Sequence, residues 1–333
     1  MKNKFFVCLM LCVIFLFSCV EFRDASQKDN NVLGSGRDPH MTDVMSGDLS
    51  SDNLPSTQDI MQTEEPLATT EPVPDEPDPT MFASLESLLS APPVDGAEIA
   101  FCYEDLTTGI TYSFNGDKVV YSASVMKLPF AMSVLYEAKT KDMGLEDIYT
   151  YTGREDHFGT GEIKNMKIGS TFSYIELIEY SLKYSDNIAQ GAIKNKYGRE
   201  LYFDYVRSIG ADSFTCDGGW ALSAIDGAKV LRSTWEYLEG DFEYSQRIKT
   251  IMIESQHRVM LSLGIGDKEI ARKYGWDDRA YHDIGIVYDE HPYAIVFLSD
   301  MVSGDWTVNG YIGKVARIAD EIHEQIWENA GRD

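Results

Sequence analysis

Cysteine is scarce in this chain of 333 residues: there are five, and only Cys102 and Cys216 lie beyond the first twenty positions. Two such residues cannot make a disulfide scaffold. They leave open one bridge or two buried thiols, and neither belongs to a CxxC pair. The six histidines (40, 157, 257, 282, 291 and 323) are scattered, with no two at metal-ligand spacing, so neither a metal nor any other cofactor is expected. Basic residues are outnumbered, 29 Lys and Arg against 54 Asp and Glu, for a net charge of −25. That balance repels phosphate backbones and argues against a nucleic-acid partner. No internal repeat occurs, and no second long apolar run follows the first twenty residues. Proline is also unevenly spread, with seven of the eleven falling between Pro39 and Pro79.

Those absences frame what is there. Lys2 and Lys4 precede an unbroken apolar run from Phe5 to Phe17, thirteen residues long. A membrane-spanning helix needs about 20, whereas the length and the basic lead suit the apolar part of a secretory signal peptide. The run ends in Leu16-Phe17-Ser18-Cys19, which resembles the cleavage and lipidation box of a bacterial lipoprotein. The expectation is a signal peptide over residues 1–18, lipidation of Cys19 and an extracytoplasmic protein held at the membrane by acyl chains. From Val20 to about Thr80 the chain holds 14 acids, three bases and the proline cluster ending at Pro79. It cannot bury enough apolar surface to offset its ordering entropy, so residues 19–80 read as an extended, disordered tether. Residues 81–333 remain as one globular domain of net charge −16.

Within that domain an apolar helix is expected at Phe82–Leu89. A strand at Ala97–Asp105 and a return strand at Ile110–Phe114 follow, joined by the Thr107-Thr108-Gly109 turn. From Ser124 to about Ala138 the spacing turns helical, with Met126, Phe130, Val134 and Leu135 on one side. Further helices are read at Tyr174–Leu182, capped by Ser173, and at Ile188–Lys196, Arg199–Ser208, Ile225–Leu238 and Phe242–Ile253. Strands return at Glu269–Lys273, Ile284–Tyr288 and Tyr293–Ser299, and a helix over Val308–Trp327 finishes the chain. Strands at both ends with helices between give an α+β class of two lobes. An antiparallel sheet of about five strands is flanked by helices and joined to an all-α lobe, with a cleft between them.

Three short motifs carry the chemistry. Ser124-Val125-Met126-Lys127 places a hydroxyl and an amine three residues apart on one helix face, where the amine can activate the serine. Ser185-Asp186-Asn187 falls between two helices, where such a tripeptide is ordinarily an N-cap. Lys273-Tyr274-Gly275-Trp276 ends a strand, and its glycine would let a ligand's backbone approach an edge. Each motif alone carries little weight. The order S-x-x-K, S-D-N, K-x-G, however, resembles the signature of class A β-lactamases and penicillin-binding proteins. Glu104–Gly109, Tyr121–Ser124, Lys127–Pro129, Phe158–Gly161 and His282–Gly285 add to the resemblance, which runs from about Met81 to the C-terminus.

That resemblance implies catalytic roles for Ser124, Lys127, Ser185 and Lys273. Ser124 would be the acylated nucleophile and Lys127 its base; Ser185 with Lys273 would return a proton to the leaving nitrogen. Asn187, Tyr274, Gly275 and Trp276 would bind substrate, and the N–H groups of Ser124 and Trp276 would form an oxyanion hole. Two departures stand out. Tyr274 replaces a small hydroxyl residue, and the glutamate of the family's E-x-x-L-N loop has no counterpart in Gly210–Ser223, whose acids are Asp212 and Asp217. Neither has the motif around it; Asp217 is the alternative base, although loop aspartates are ordinarily turn residues. The implied activity is a serine hydrolase taking β-lactams or cell-wall D-Ala-D-Ala-like peptides, D,D-peptidase chemistry included, with slow deacylation. The alternative is a tethered binding module that kept the fold and lost the reaction.

Overall fold

The computed structural model describes residues 73–155, 159–255, 260–301 and 305–330, all within one compact unit, Leu67–Asp333. The expected signal peptide, the lipidation site at Cys19 and the tether up to residue 72 lie outside the described residues, as do His157, Phe158 and His257. No helix among the described residues is long and apolar enough to cross a membrane. Regular structure begins at a 3-10 turn, Pro79–Phe82, capped by Asp78, whose carboxylate accepts from Thr80 N at 2.9 Å.

Helix α1 (Ala83–Leu89) leads into β1 (Ile99–Asp105) and β2 (Thr111–Phe114). Asp105 Oδ1 accepts from Thr107 N and Thr108 N, both at 2.8 Å, and so builds the hairpin turn. Short β3 (Val120–Tyr121) and a 3-10 turn, Ala123–Met126, precede α2 (Lys127–Ala138). Next come β4 (Ile148–Thr150), β5 (Thr171–Ser173), α3 (Tyr174–Lys183), α4 (Asn187–Tyr197) and α5 (Glu200–Ser208). The chain continues through β6 (Ala221–Leu222), α6 (Ala224–Leu238), α7 (Ser245–Ile253), β7 (Glu269–Asp277), β8 (Ala280–Tyr288), β9 (Tyr293–Ser299) and α8 (Trp306–Ala330).

The sheet is five-stranded and antiparallel throughout, in the order β2-β1-β9-β8-β7. The expected fold class and strand count hold. The two-residue strands β3 and β6 pair with each other, as do β4 and β5; pieces that short carry no readable alternation. The third-motif strand is longer than read. It runs on to Asp277 and turns directly into β8, because Lys273–Trp276 is paired to Ile284–Tyr281 rather than released at the motif. It is an edge strand, as expected.

Alternation sends Ile99, Phe101, Tyr103, Tyr293, Ile295 and Phe297 to the face covered by α1 and α8. Ala100, Cys102, Ala294, Val296 and Leu298 go to the face covered by the helical lobe. Both faces are buried, so the smaller residues of β1, Ala100 and Cys102, are core as well. Helix α2 likewise departs from a one-sided pattern, being buried continuously from Lys127 to Leu135; a helix packed on all sides shows no polar face. Helix α3 starts with the expected Ser173 cap, completed by Glu176 into a reciprocal capping box. Cys102 is buried and Cys216 exposed, and both thiols are free, which answers the question left open above.

Candidate active site

The first motif does not open an α-helix as expected. Ser124 sits in the 3-10 turn, and the α-helix begins at Lys127, with Pro129 as its third residue. Proline is tolerated there because first-turn N–H groups have no helical partner. The turn is held from both sides. Ser122 N donates to Trp220 O at 2.9 Å, beside the β3–β6 pairing. His282 Nε2 donates to Tyr121 O at 2.7 Å while its Nδ1 accepts from Ser299 N at 3.1 Å. The ring is thus a neutral strut, and burial pushes its pKa down to about 4. Ala123, directly before the serine, has φ +43, a strained conformation for a residue with a side chain.

Gly275 explains how close β7 comes. A Cβ there would lie 3.0 Å from Val125 Cγ2 and 3.1 Å from both Ser122 O and Val125 N. The glycine admits the protein's own nucleophile turn, not a ligand as read from sequence. It is buried in the strand.

The second motif sits at the start of α4. Asp186 is wholly buried and structural: its Oδ1 caps Ile188 N at 2.9 Å and Ala189 N at 3.0 Å, and its Oδ2 accepts from Ile163 N at 2.8 Å. Ser185 has φ +51, the second strained residue here. Its carbonyl accepts from Thr160 Oγ1 at 2.8 Å and from Lys127 Nζ at 2.5 Å. Lys127 Nζ also reaches Asn187 Oδ1 at 2.6 Å and Ser185 Oγ at 3.2 Å. From the other side Lys273 Nζ reaches Ser185 Oγ at 3.1 Å and Tyr274 O at 2.7 Å. Residues 127, 185 and 273 thus meet at one hydroxyl, with Lys127 4% exposed and the other two not at all.

Burial disfavours the charged form of both amines. It pushes Lys127 down to about 7, against a smaller opposing pull from Asp186. Burial, followed by the nearby Lys127 charge, drives Lys273 well below its usual range. At neutral pH the pair therefore does not hold two full positive charges, and one amine is available as a base.

Above this cluster lies a cavity of about 450 Å³, with Ser124, Lys127, Asn187 and Trp276 on its wall. The Ser124 carbonyl accepts from Lys127 N, while its hydroxyl makes no hydrogen bond among the described residues. The wall also carries residues that sequence reasoning passed over, Tyr121, Gln190, Lys194 and Arg199 among them, together with Trp220 from the short loop before α6. The signal for the α4 members was the spacing 187, 190, 191, 194 along one helix face. Asp277 is the one carboxylate on the wall among the described residues. Asp217 is exposed, sits in a left-handed turn (φ +46) and is not among the residues lining the cavity, as suits the turn residue that most loop aspartates are. Tyr274 is a further correction. It neither lines the cavity nor points outward, but is buried with the residues between the sheet and α8, its ring 4.3 Å from Lys273 Nζ. Its hydroxyl is hydrogen-bonded to the Ser185 side chain, so the tyrosine packs beside the lysine–serine cluster from behind the cavity.

An acidic trio, Asp289, Asp320 and Glu324, has the reach for an ion among the described residues, but its centre is taken by the ammonium of Lys268 at 2.7–2.9 Å.

A two-lobed α+β protein with a serine beside two buried lysines matches known folds over most of its length. A β-lactamase from Sphaerobacter thermophilus aligns at TM-score 0.65 and 16% identity, over 73% of this chain and 98% of that one. PBP-A aligns at 0.65 and 20%, over 76% and 99%. A point mutant of PBP-A described as an acyl-enzyme complex with penicillin G aligns at 0.65 and 21%, over 76% and 100%. No curated protein matches. The family model described as the beta-lactamase enzyme family covers residues 84–326, and the chain belongs to that family.

Proposed function

We propose that this protein is an exported, lipid-anchored serine hydrolase that is acylated at Ser124 by β-lactams or D-Ala-D-Ala-like peptides and releases the acyl group slowly. The observation that carries the reading is the convergence of Lys127 and Lys273 on Ser185 Oγ, at 3.2 and 3.1 Å, beneath the cavity that Ser124 lines. Neutral Lys127 takes the proton as Ser124 Oγ attacks the substrate carbonyl, forming the O–C bond. The N–H groups of Ser124 and Trp276 receive the developing oxyanion. As the C–N bond breaks, Ser185 gives its proton to the leaving nitrogen and recovers one from Lys127, with Lys273 holding its hydroxyl. The proton lost by Ser124 thus ends on the leaving group. Asn187, already bonded to Lys127, fixes that amine and faces the substrate's amide arm.

Slow release follows from the wall. Deacylation needs a positioned base for water, and among the described residues the carboxylate on the wall is Asp277, on the β7 side. Missing one positioned base lowers a rate by about 10²–10⁴. The relative captured with penicillin G supports the acylation half of the reading. The second reading, a non-catalytic binder, draws on Lys127 being bonded to Ser185 and Asn187 rather than to Ser124; in ligand-free sites such catalytic bonds commonly form only with substrate.

Incubation with a fluorescent penicillin, followed by intact mass over time, separates the readings. A lasting adduct that Ser124→Ala abolishes is the expected result. A transient adduct with a chromogenic cephalosporin consumed overturns slow release, and no adduct with any β-lactam or D-Ala-D-Ala ester leaves the binder.

A further inference from the structure

We infer that the α4 wall of the cavity is an anion subsite, selecting substrates whose acyl arm ends in a carboxylate about 10 Å from Asn187. Asn187, Gln190, Gly191 and Lys194 all line the cavity, and their i, i+3, i+4, i+7 spacing puts them on one helix face. Seven residues at 1.5 Å rise give the distance of about 10 Å.

Four observations point to an elongated anionic guest. First, Lys194 has no acid beside it among the described residues. Lys196 on the same helix, by contrast, is paired with Asp147 at 2.6 Å. In a domain of net charge −16, a cation left facing a cavity is notable. A lysine in the last turn of α4 also suits the helix dipole, yet that accounts for Lys196 equally and not for Lys194 facing inward. Second, Arg199, on the same wall, donates to Gly218 O at 3.1 Å and to no carboxylate among the described residues. Third, Gln190 is 9% exposed and its buried Nε2 has no hydrogen-bond partner among the described residues, while its Oε1 accepts from Ser181 at 2.9 Å. An orphaned donor of this kind is costly until an acceptor meets it. Fourth, the groove between is open: a Cβ added to Gly191 would meet nothing within 4 Å. Trp220, partly exposed, supplies an apolar side for the methylenes of such an arm.

This deepens the acyl-enzyme reading and rests on it, since the arm is the acyl side of the same substrate. It is tested separately from acylation. The full chain carrying Ser124→Ala is titrated calorimetrically with N-pimeloyl-D-Ala-D-Ala and with its terminal amide. The acid is expected to bind about tenfold more tightly than the amide, through two partly exposed charge contacts, and the preference should shrink as salt rises. Adding Lys194→Ala and Arg199→Ala should bring the ratio to about one. Gly191→Leu, which fills the groove with a good helix former, should weaken acid and amide alike. Equal binding of the two ligands, binding of neither, or a preference that survives the double substitution overturns the subsite. Adduct formation by benzylpenicillin on the unsubstituted chain is read in parallel. An adduct with no acid preference removes only the subsite; no adduct removes the acyl-enzyme reading.

Discussion

On the floor of the cavity Lys127, Ser185 and Lys273 are sealed from solvent and bonded to one another. Along the α4 wall Lys194 is partly buried and Arg199 exposed, with no acid paired to either among the described residues. The same residue type, lysine, serves both places in opposite ways. Buried, it loses affinity for its proton, which suits the base proposed for the reaction; at the wall it is only partly covered, which suits the proposed anion contact. On the proposed reading, reaction and selection would be separated across one helix, α4, whose first residue, Asn187, is bonded to Lys127 and whose last turn carries Lys194.

The sharpest break of that contrast is Lys127→Ala. If the floor does the chemistry, single-turnover acylation by benzylpenicillin falls about 10²–10⁴-fold, whereas an equal loss from a wall residue would erase the distinction. Next in size is Gly275→Ala, whose methyl has to displace Ser122 O or Val125 N from about 3.1 Å. A shift of the nucleophile turn by a fraction of an ångström should cost up to about 10² in acylation, with circular dichroism unchanged.

Asp186→Ala tests whether the floor depends on its hidden support. Losing a buried carboxylate that accepts three backbone N–H groups is expected to cost about 1–3 kcal/mol. That lowers the Tm by about 2–12 °C; an unchanged Tm would show the cap to be dispensable. The last break of the contrast is the pH profile. With Lys127 at about 7 in the folded state, against 10.5 when exposed, acylation should fall about tenfold per unit below pH 7 and level off above it. The unfolded chain holds that proton more tightly between pH 7 and 10.5, so this group makes stability rise with pH across the window. A flat acylation profile from pH 5 to 8 would mean that another group is the base.

The motifs were legible because their chemistry needs fixed residue types at short spacing: Ser124 with Lys127, the Ser185-Asp186-Asn187 cap, and Lys273 near Gly275. The helices over 174–183 and 187–197 and the strand over 293–299 showed themselves through capping residues or apolar patterning. What presses on Gly275 and what Tyr274 packs against were not legible, because their partners lie far along the chain. Which face of β7 a residue takes, and what presses on it, depends on β8, α8 and the turn at Ser122.

By itself, then, the order of residues determined the family signature, the α+β layout and the acidic balance, all of which follow from local periodicity and composition. Only tertiary structure decided that two lysines 146 positions apart share one hydroxyl, that His282 braces the turn before Ser124, and that Lys194 and Arg199 look into the cavity. Burial and opposing charge are set by what packs around a group, and no window along the chain contains that information.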